Sequence, residues 1–272
     1  MSAASGASSA TGAPGLHAGP GARRPLGVMA ALPQELGDLL DAMRAESEVR
    51  TVSYGSRDYH VGTVGGAPCV ATLSRIGKVA AAATVSALIH AFDVEAVLFT
   101  GVAGGVGESV RVGDIVVADT LLQHDLDASP LFPRFEVPLL GVSHFNADRA
   151  LSARLYDACE RFVAEEGDVL AARLDLTTPR VHRGLIISGD QFVAGAVDVE
   201  LLRAALPDAL AVEMEGAAIA QVCHEYGVPC AVVRTVSDTA DAEAPVSFSN
   251  FLTELAGAWS SGILQRFFAA AG

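Results

Sequence analysis

Two apolar runs in this 272-residue chain end on carboxylates. One is Ala211-Val-Glu-Met-Glu-Gly216 and the other is Val232-Val-Arg-Thr-Val-Ser-Asp238. Open α/β sheets bind ligands beyond the carboxyl ends of their strands, so Glu213, Glu215 and Asp238 are the first candidates for chemistry. A carboxylate accepts two hydrogen bonds at once, which suits the paired hydroxyls of a ribose. For Glu213 and Glu215 that role stands beside a plainer one, an acid at a helix start where the dipole favours negative charge. An extended backbone through Met214 would put both acids on one face, whereas a strand-to-helix corner would make them diverge. Asp238 is either a site acid or a turn residue in Ser-Asp-Thr-Ala-Asp. Arg234 is a counter-ion for Asp238 or for Glu213. Glu35 follows Pro33 at the opening of a helix, where an acid contributes about 0.3–1 kcal/mol through the dipole alone.

Other motifs narrow the chemistry. Gly101-Val-Ala-Gly-Gly-Val-Gly107 follows a strand, and its glycines allow close backbone approach to a ligand or a simple turn. It is not GxGxxG and no GK[ST] follows, so neither dinucleotide nor P-loop binding is supported. His124, with Asp125 and Asp127, has no second His at ligand spacing, which leaves a loop salt contact against a metal or acid–base role. Ser188-Gly189-Asp190 lacks the GxSxG of a nucleophile elbow. Phe192 either stacks on a planar ligand or packs in the core. These residues imply no metal and no cofactor.

The elements that must position them alternate along the chain. Residues 25–32 read as a buried strand, followed by a helix over 33–45 with Pro33 in its first turn. Strands at 49–54, 58–64 and 67–73 are separated by Gly turns. An Ala-rich helix spans 77–91, and strands follow at 94–100 and 114–122. Residues 123–146 hold three prolines and read as a long functional or mobile loop. Leu151, Leu155, Cys159, Phe162 and Val163 mark a helical stripe. Then come a strand at 181–188, a helix at 198–205, a strand at 210–214, a helix at 216–226 and a strand at 229–236. Phe248, Phe251, Leu252, Leu255, Trp259, Ile263 and Phe267 predict one long amphipathic C-terminal helix. The pattern is α/β: a single three-layer domain over 25–272 with a mixed, twisted central sheet flanked by helices.

Composition sets outer bounds. Apolar residues make up 51%, enough for a large core, and the formal charge of −14 argues against nucleic acid or an anionic membrane as partner. No apolar run reaches the length of a membrane span. Residues 1–24 are rich in Ala, Ser, Gly and Pro and read as a disordered tail without a secretory signal, in a cytoplasmic protein. Four cysteines, none in a CxxC pair, read as buried structural thiols of a reducing compartment.

Together these pieces resemble the purine nucleoside phosphorylase/hydrolase superfamily, and most closely its methylthioadenosine/S-adenosylhomocysteine nucleosidases. The carriers are the Gly27–Glu35 opening, Ser74-Arg-Ile-Gly-Lys-Val-Ala-Ala-Ala82, Thr100-Gly-Val-Ala-Gly-Gly105 and Val112-Gly-Asp-Ile-Val-Val117. They continue with Gly184-Leu-Ile-Ile-Ser-Gly-Asp190, Ala211-Val-Glu-Met-Glu-Gly-Ala217 and Val233-Arg-Thr-Val-Ser-Asp238. The resemblance implies that Asp238 protonates N7 of adenine and that Glu35 activates the attacking water. It implies that Glu215, beside Met214, holds the ribose, with Glu213 in the same group of binding residues. Phe192 would stack on adenine and Val193 would offer it backbone contacts. Ala103 and Gly104 would shape the floor, Ile76 and Phe248 the 5′ side, and Arg234 and Ser237 would support the carboxylates. A homodimer partner would close the alkylthio pocket.

Such chemistry suits the residue types. Cleaving an N-ribosyl bond builds positive charge on the sugar and negative charge on the base, so it needs an acid and a water-activating base, as in inverting glycoside hydrolysis. Phosphorylases instead surround phosphate with arginines and a serine. Here Glu35, Phe99 and Val102 stand in those positions, where an anion would meet a carboxylate and apolar side chains. Arg75 stands where many nucleosidases have Gly and returns one positive charge near the loop, and Gln191 replaces a small residue beside Phe192. The alternatives are a phosphate-dependent phosphorylase, a futalosine-type nucleosidase and a non-catalytic nucleoside-binding protein.

Overall fold

A computed structural model describes residues 23–240 and 243–270. Along the chain come β1 (Leu26–Ala30), α1 (Pro33–Leu36), α2 (Leu39–Glu46), β2 (Arg50–Tyr54), β3 (Arg57–Val64), β4 (Ala67–Leu73) and α3 (Lys78–Phe92). Next are β5 (Ala96–Gly105), β6 (Ile115–Gln123), β7 (His144–Asn146), α4 (Arg149–Phe162), and α5 (Asp168–Ala171) beyond a π-helical turn. The remainder is β8 (Val181–Ser188), α6 (Ala196–Ala205), β9 (Ala209–Glu213), α7 (Gly216–Tyr226), β10 (Cys230–Asp238), α8 (Ala244–Glu254) and α9 (Ala256–Ala269). The tail expected over 1–24 lies outside the described residues as far as residue 22. Arg23 and Arg24 are described and sit against Glu95 and Asp93, at 3.8 and 2.8 Å.

The sheet is mixed, as the strand pattern predicts. β2, β3 and β4 form an antiparallel meander, and β4, β1 and β5 run parallel. Beyond β5 the sheet curls back on itself. β5 pairs with both β10 and β9, and the circuit closes through β10–β6, β6–β8 and β8–β9. Closure removes two edges and gathers the carboxyl ends of several strands around one space.

Period-two alternation explains how helices cover both faces. On β5, Ala96, Leu98 and Val102 join one apolar cluster with α4 and α9. Val97, Phe99 and Ala103 join the other, under α3 and α7. On β10, Ala231 and Val233 take the first face, while Cys230, Val232 and Val236 take the second. Arg234 falls on that second face by register, in a strand where every residue is buried. All four cysteines are buried and unpaired. Among the described residues no helix is long and apolar enough to cross a membrane.

Three boundaries differ from expectation, each for a local reason. The helix predicted over 33–45 is two helices, because Gly37 takes φ 55° and ψ −140°, a conformation that only glycine adopts readily. A Cβ there would also lie 2.4 Å from Ser261 Oγ and 2.6 Å from the Gly257 carbonyl of α9. The single C-terminal helix is likewise two, broken at Leu255 (φ −129°) with its apolar stripe unbroken. The glycine-rich stretch after residue 100, read as a turn or a ligand cradle, is strand as far as Gly105, the last half of β5.

Candidate active site

The carboxyl ends of β5, β9 and β10 and the N-termini of α1 and α7 enclose a cavity. Its wall contains Glu35, Ile76, Ala103, Gly104, Phe192, Val193, Glu213, Met214, Glu215, Ser237, Asp238 and Phe248. Of the site residues expected from the sequence, Arg234 alone does not reach the wall; it lies behind it, 1% exposed. Ala31, Leu32, Val102, Gln191 and Val212 complete the lining. Ala31, Leu32 and Val212 carried no signal in the sequence, since apolar residues at strand ends read as core. Among the described residues no Lys, Arg or His lines the cavity.

Glu35 is held by the backbone. Its Oε2 accepts the amides of Ala31 and Leu32 at 2.9 and 2.7 Å, and Oε1 accepts that of Val102 at 3.0 Å. A carboxylate offers about four acceptor sites, so one is left for a cavity molecule. Burial raises the Glu35 pKa above its ordinary value, while Arg234 and the three amides oppose it. Gly101 makes this approach feasible: a Cβ there would sit 2.7 Å from Glu35 Oε1 and 3.0 Å from Arg234 Nη1.

The two glutamates after β9 diverge at the strand-to-helix corner. Glu213 ends β9 and turns inward. Its oxygens accept Arg234 Nη2 at 2.6 Å, Glu215 N at 3.0 Å, and Gly216 N at 2.9 and 2.8 Å, together with a short bond from Ser188 Oγ. Those donors use its acceptor sites, so it caps α7 and anchors Arg234, and nothing is left to bind a ligand. Ser188 also accepts the Ala217 amide at 2.7 Å. The Ser-Gly-Asp stretch thus supports this corner, a role its lack of a nucleophile motif did not suggest. Glu215 stands at the N-cap of α7. Its Oε1 accepts the Gly77 amide at 2.8 Å, and its Oε2 lies 3.9 Å from Arg234 Nη2. Burial, then the charge of Glu213, push its pKa up to about 8 against the pull of Arg234.

Asp238 closes β10 just after a register shift against β5. Such an irregularity turns a side chain out of the ladder. Its Oδ2 accepts Ser237 Oγ at 2.8 Å and its Oδ1 accepts Ala240 N at 2.9 Å. A Cβ on Gly104 would lie 3.0 Å from Oδ1, so glycine leaves this acid its space. Arg234 pairs with Glu213, which settles the choice of counter-ion.

At the mouth, Phe192 meets Phe248 edge-on with centroids 5.6 Å apart. The Phe192 loop is tied down by Asp190, which accepts the Lys78 amide, and by Asp125, which accepts Lys78 Nζ at 2.6 Å and the Asp190 amide. His124 is buried, its Nε2 has no hydrogen-bond partner, and burial lowers its pKa. Among the described residues no three His, Cys, Asp or Glu side chains are grouped to hold a metal. Arg75 does not supply the cavity with charge. It leans away and donates to the Ser56 carbonyl at 2.6 Å.

Residues 25–269 match the family model described as the phosphorylase superfamily, and the chain belongs to that superfamily. A 5′-methylthioadenosine/S-adenosylhomocysteine nucleosidase of Actinobacillus succinogenes is 37% identical over 228 residues, 84% of this chain and 91% of its own length. The nucleosidase of Neisseria meningitidis, solved with methylthio-immucillin-A, superposes with a TM-score of 0.76 at 35% identity, covering 91% of this chain and all of that one. A futalosine hydrolase of Helicobacter pylori also gives 0.76, at 32% identity over 90% of this chain and 97% of its own. Within the superfamily the chain sits in the methylthioadenosine/S-adenosylhomocysteine nucleosidase branch.

The Glu215 proton has a measurable consequence. An exposed glutamate titrates near 4.5 and Glu215 near 8, so between those values the folded state holds the extra proton. Stability then falls as pH rises through that window. Glu215→Gln removes the titration, and its unfolding free energy should fall less between about pH 5 and 8 than that of the wild type, as read by denaturant titration. Parallel curves for the two proteins would rule out the assignment.

Proposed function

We propose that this protein hydrolyses the N-ribosyl bond of 5′-methylthioadenosine and S-adenosylhomocysteine, releasing adenine. One observation carries the choice of nucleophile. The cavity is lined by four acids, Glu35, Glu213, Glu215 and Asp238, and by no basic side chain among the described residues. A phosphate there would meet acids and no lining cation, with Arg234 behind the wall already paired to Glu213, whereas water is welcome.

Each residue then has a task. Asp238 carries a proton to N7 of adenine as the C1′–N9 bond breaks, so the base departs neutral. Glu35 takes a proton from the water that attacks C1′. Its raised pKa makes it a stronger base than an exposed glutamate, and its remaining acceptor site points it at that water. Glu215 accepts the ribose hydroxyls with Met214 against the sugar. Phe192 lies on the purine, Val193 offers backbone contacts, and Ala103 and Gly104 form the floor beneath. Ile76 and Phe248 flank the 5′ substituent. Arg234, Glu213 and Ser237 hold the acids without touching substrate. No cofactor takes part in these steps.

A homodimer fits the open 5′ side. Ile76 on the cavity wall is 52% exposed and Val79, at the start of α3, is 80% exposed, apolar side chains that a second copy would cover. Unpaired cysteines suit a cytoplasmic location. Sedimentation should report twice the 27.9 kDa chain mass; a monomer at assay concentration would leave the pocket open and contradict this part.

The likeness to futalosine hydrolase keeps that nucleoside in the substrate panel. Adenine release from methylthioadenosine in phosphate-free buffer, followed by chromatography, tests the activity. Asp238→Asn should lower it by about 10²–10⁴-fold, the usual worth of a general acid. Strict dependence on added phosphate would instead make the protein a phosphorylase.

A further inference from the structure

Phe99 is buried on β5 and does not line the cavity. Its ring nevertheless lies beneath the guanidinium of Arg234, the cation behind the cavity wall. The guanidinium carbon of Arg234 is 3.9 Å from the Phe99 ring centroid. Register explains the contact, since Val232 pairs with Phe99 and Arg234 with Gly101, two residues further along the same face. Gly101 has no side chain to intervene, so the Arg234 side chain folds back over the ring.

The hydrogen bonds of Arg234 are few for a buried guanidinium. Nη1 donates to its neighbour's carbonyl, Val233 O, at 3.1 Å, and Nη2 donates to Glu213 at 2.6 Å. Nε has no acceptor. An arginine with an unused donor and a second carboxylate only 3.9 Å away has reason to tilt toward it. A bidentate grip shared between Glu213 and Glu215 would satisfy more of its donors. What opposes the tilt is the ring, because a planar cation over an aromatic face loses that attraction when it rotates off the plane.

We propose that Phe99 is a positioning residue that holds Arg234 on Glu213 and so keeps Glu215 free for the ribose. It acts through Arg234 and meets no substrate atom. Removing the ring while keeping apolar volume should let the guanidinium close onto Glu215 Oε2. The ribose hydroxyls would then compete with an internal ion pair. Binding weakens while the proton transfers at Glu35 and Asp238 continue.

This rests on the hydrolase reading, and the test separates the two. Wild-type adenine release without phosphate judges that reading alone. With turnover established, kcat and KM for methylthioadenosine are measured for Phe99→Leu and Phe99→Tyr, with thermal midpoints for both. Phe99→Leu should raise KM by about tenfold with kcat within about threefold, the split expected when ground-state and transition-state binding are lost together. Phe99→Tyr retains the ring face and should return KM to within about twofold of wild type. Unchanged KM in Phe99→Leu, a loss confined to kcat, or equal losses in both variants that follow their thermal midpoints would each overturn the proposal.

Discussion

Arg234 is the buried positive charge around which the site is arranged. Its guanidinium is 2.6 Å from Glu213 and 3.9 Å from Glu215, and its charge also acts on Glu35. All four side chains are buried. At about 4 Å the Coulomb attraction alone is about 4 kcal/mol at an effective dielectric constant near 20, set against the cost of desolvating both charges. One cation cannot compensate three ionised acids. Burial raises the pKa of both acids beside it, Glu35 above the ordinary glutamate value and Glu215 to about 8 with the charge of Glu213 adding to the rise, while Arg234 pulls both down. The base and the ribose-binding acid are thereby coupled through one residue that meets neither reactant.

The scaffold makes this crowding tolerable by using backbone where side chains would collide. Gly101 lets Glu35 and Arg234 meet across β5, and Gly104 leaves room for Asp238. Gly37 ends α1 after a single turn, so Glu35 is delivered from a short helix pinned against α9. Amides of Ala31, Leu32, Val102, Gly77, Glu215 and Gly216 satisfy the acids at no cost in side-chain entropy. The closed circuit from β5 through β9, β8 and β6 to β10 brings these donors to one place.

Much of this was legible in the residues before any coordinates. Apolar runs at 94–100, 210–214 and 229–236 read as strands, and the acids Glu213, Glu215 and Asp238 marked where a ligand would lie. The resemblance to nucleosidases then named a set that does line one cavity, apart from Arg234 behind it. Other features were hidden for physical reasons. The apolar stripe through Phe251, Leu255 and Trp259 runs on across the break at Leu255, so spacing alone reads one helix where two form. Glycines are poor strand formers, yet Gly101 and Gly104 extend β5 because bulkier residues would strike the acids. Sequence distance could not decide between Asp238 and Glu213 as partner of Arg234. Nor could it show that Arg75 turns away, or that Ser188 and Gly77 hold the two glutamates.

The central claim is that the charge of Arg234 lowers the proton affinity of Glu35 and Glu215 in the folded protein. The direct measurement is the thermal midpoint of Arg234→Met against wild type across pH. With the cation gone, Glu35 and Glu215 hold their protons to still higher pH, so the variant goes on losing stability where the wild type levels off, for Glu215 above about pH 8. The gap between the two midpoints should therefore be smallest near pH 4.5 and widest above about pH 8. A gap that stays constant across that range would contradict the account.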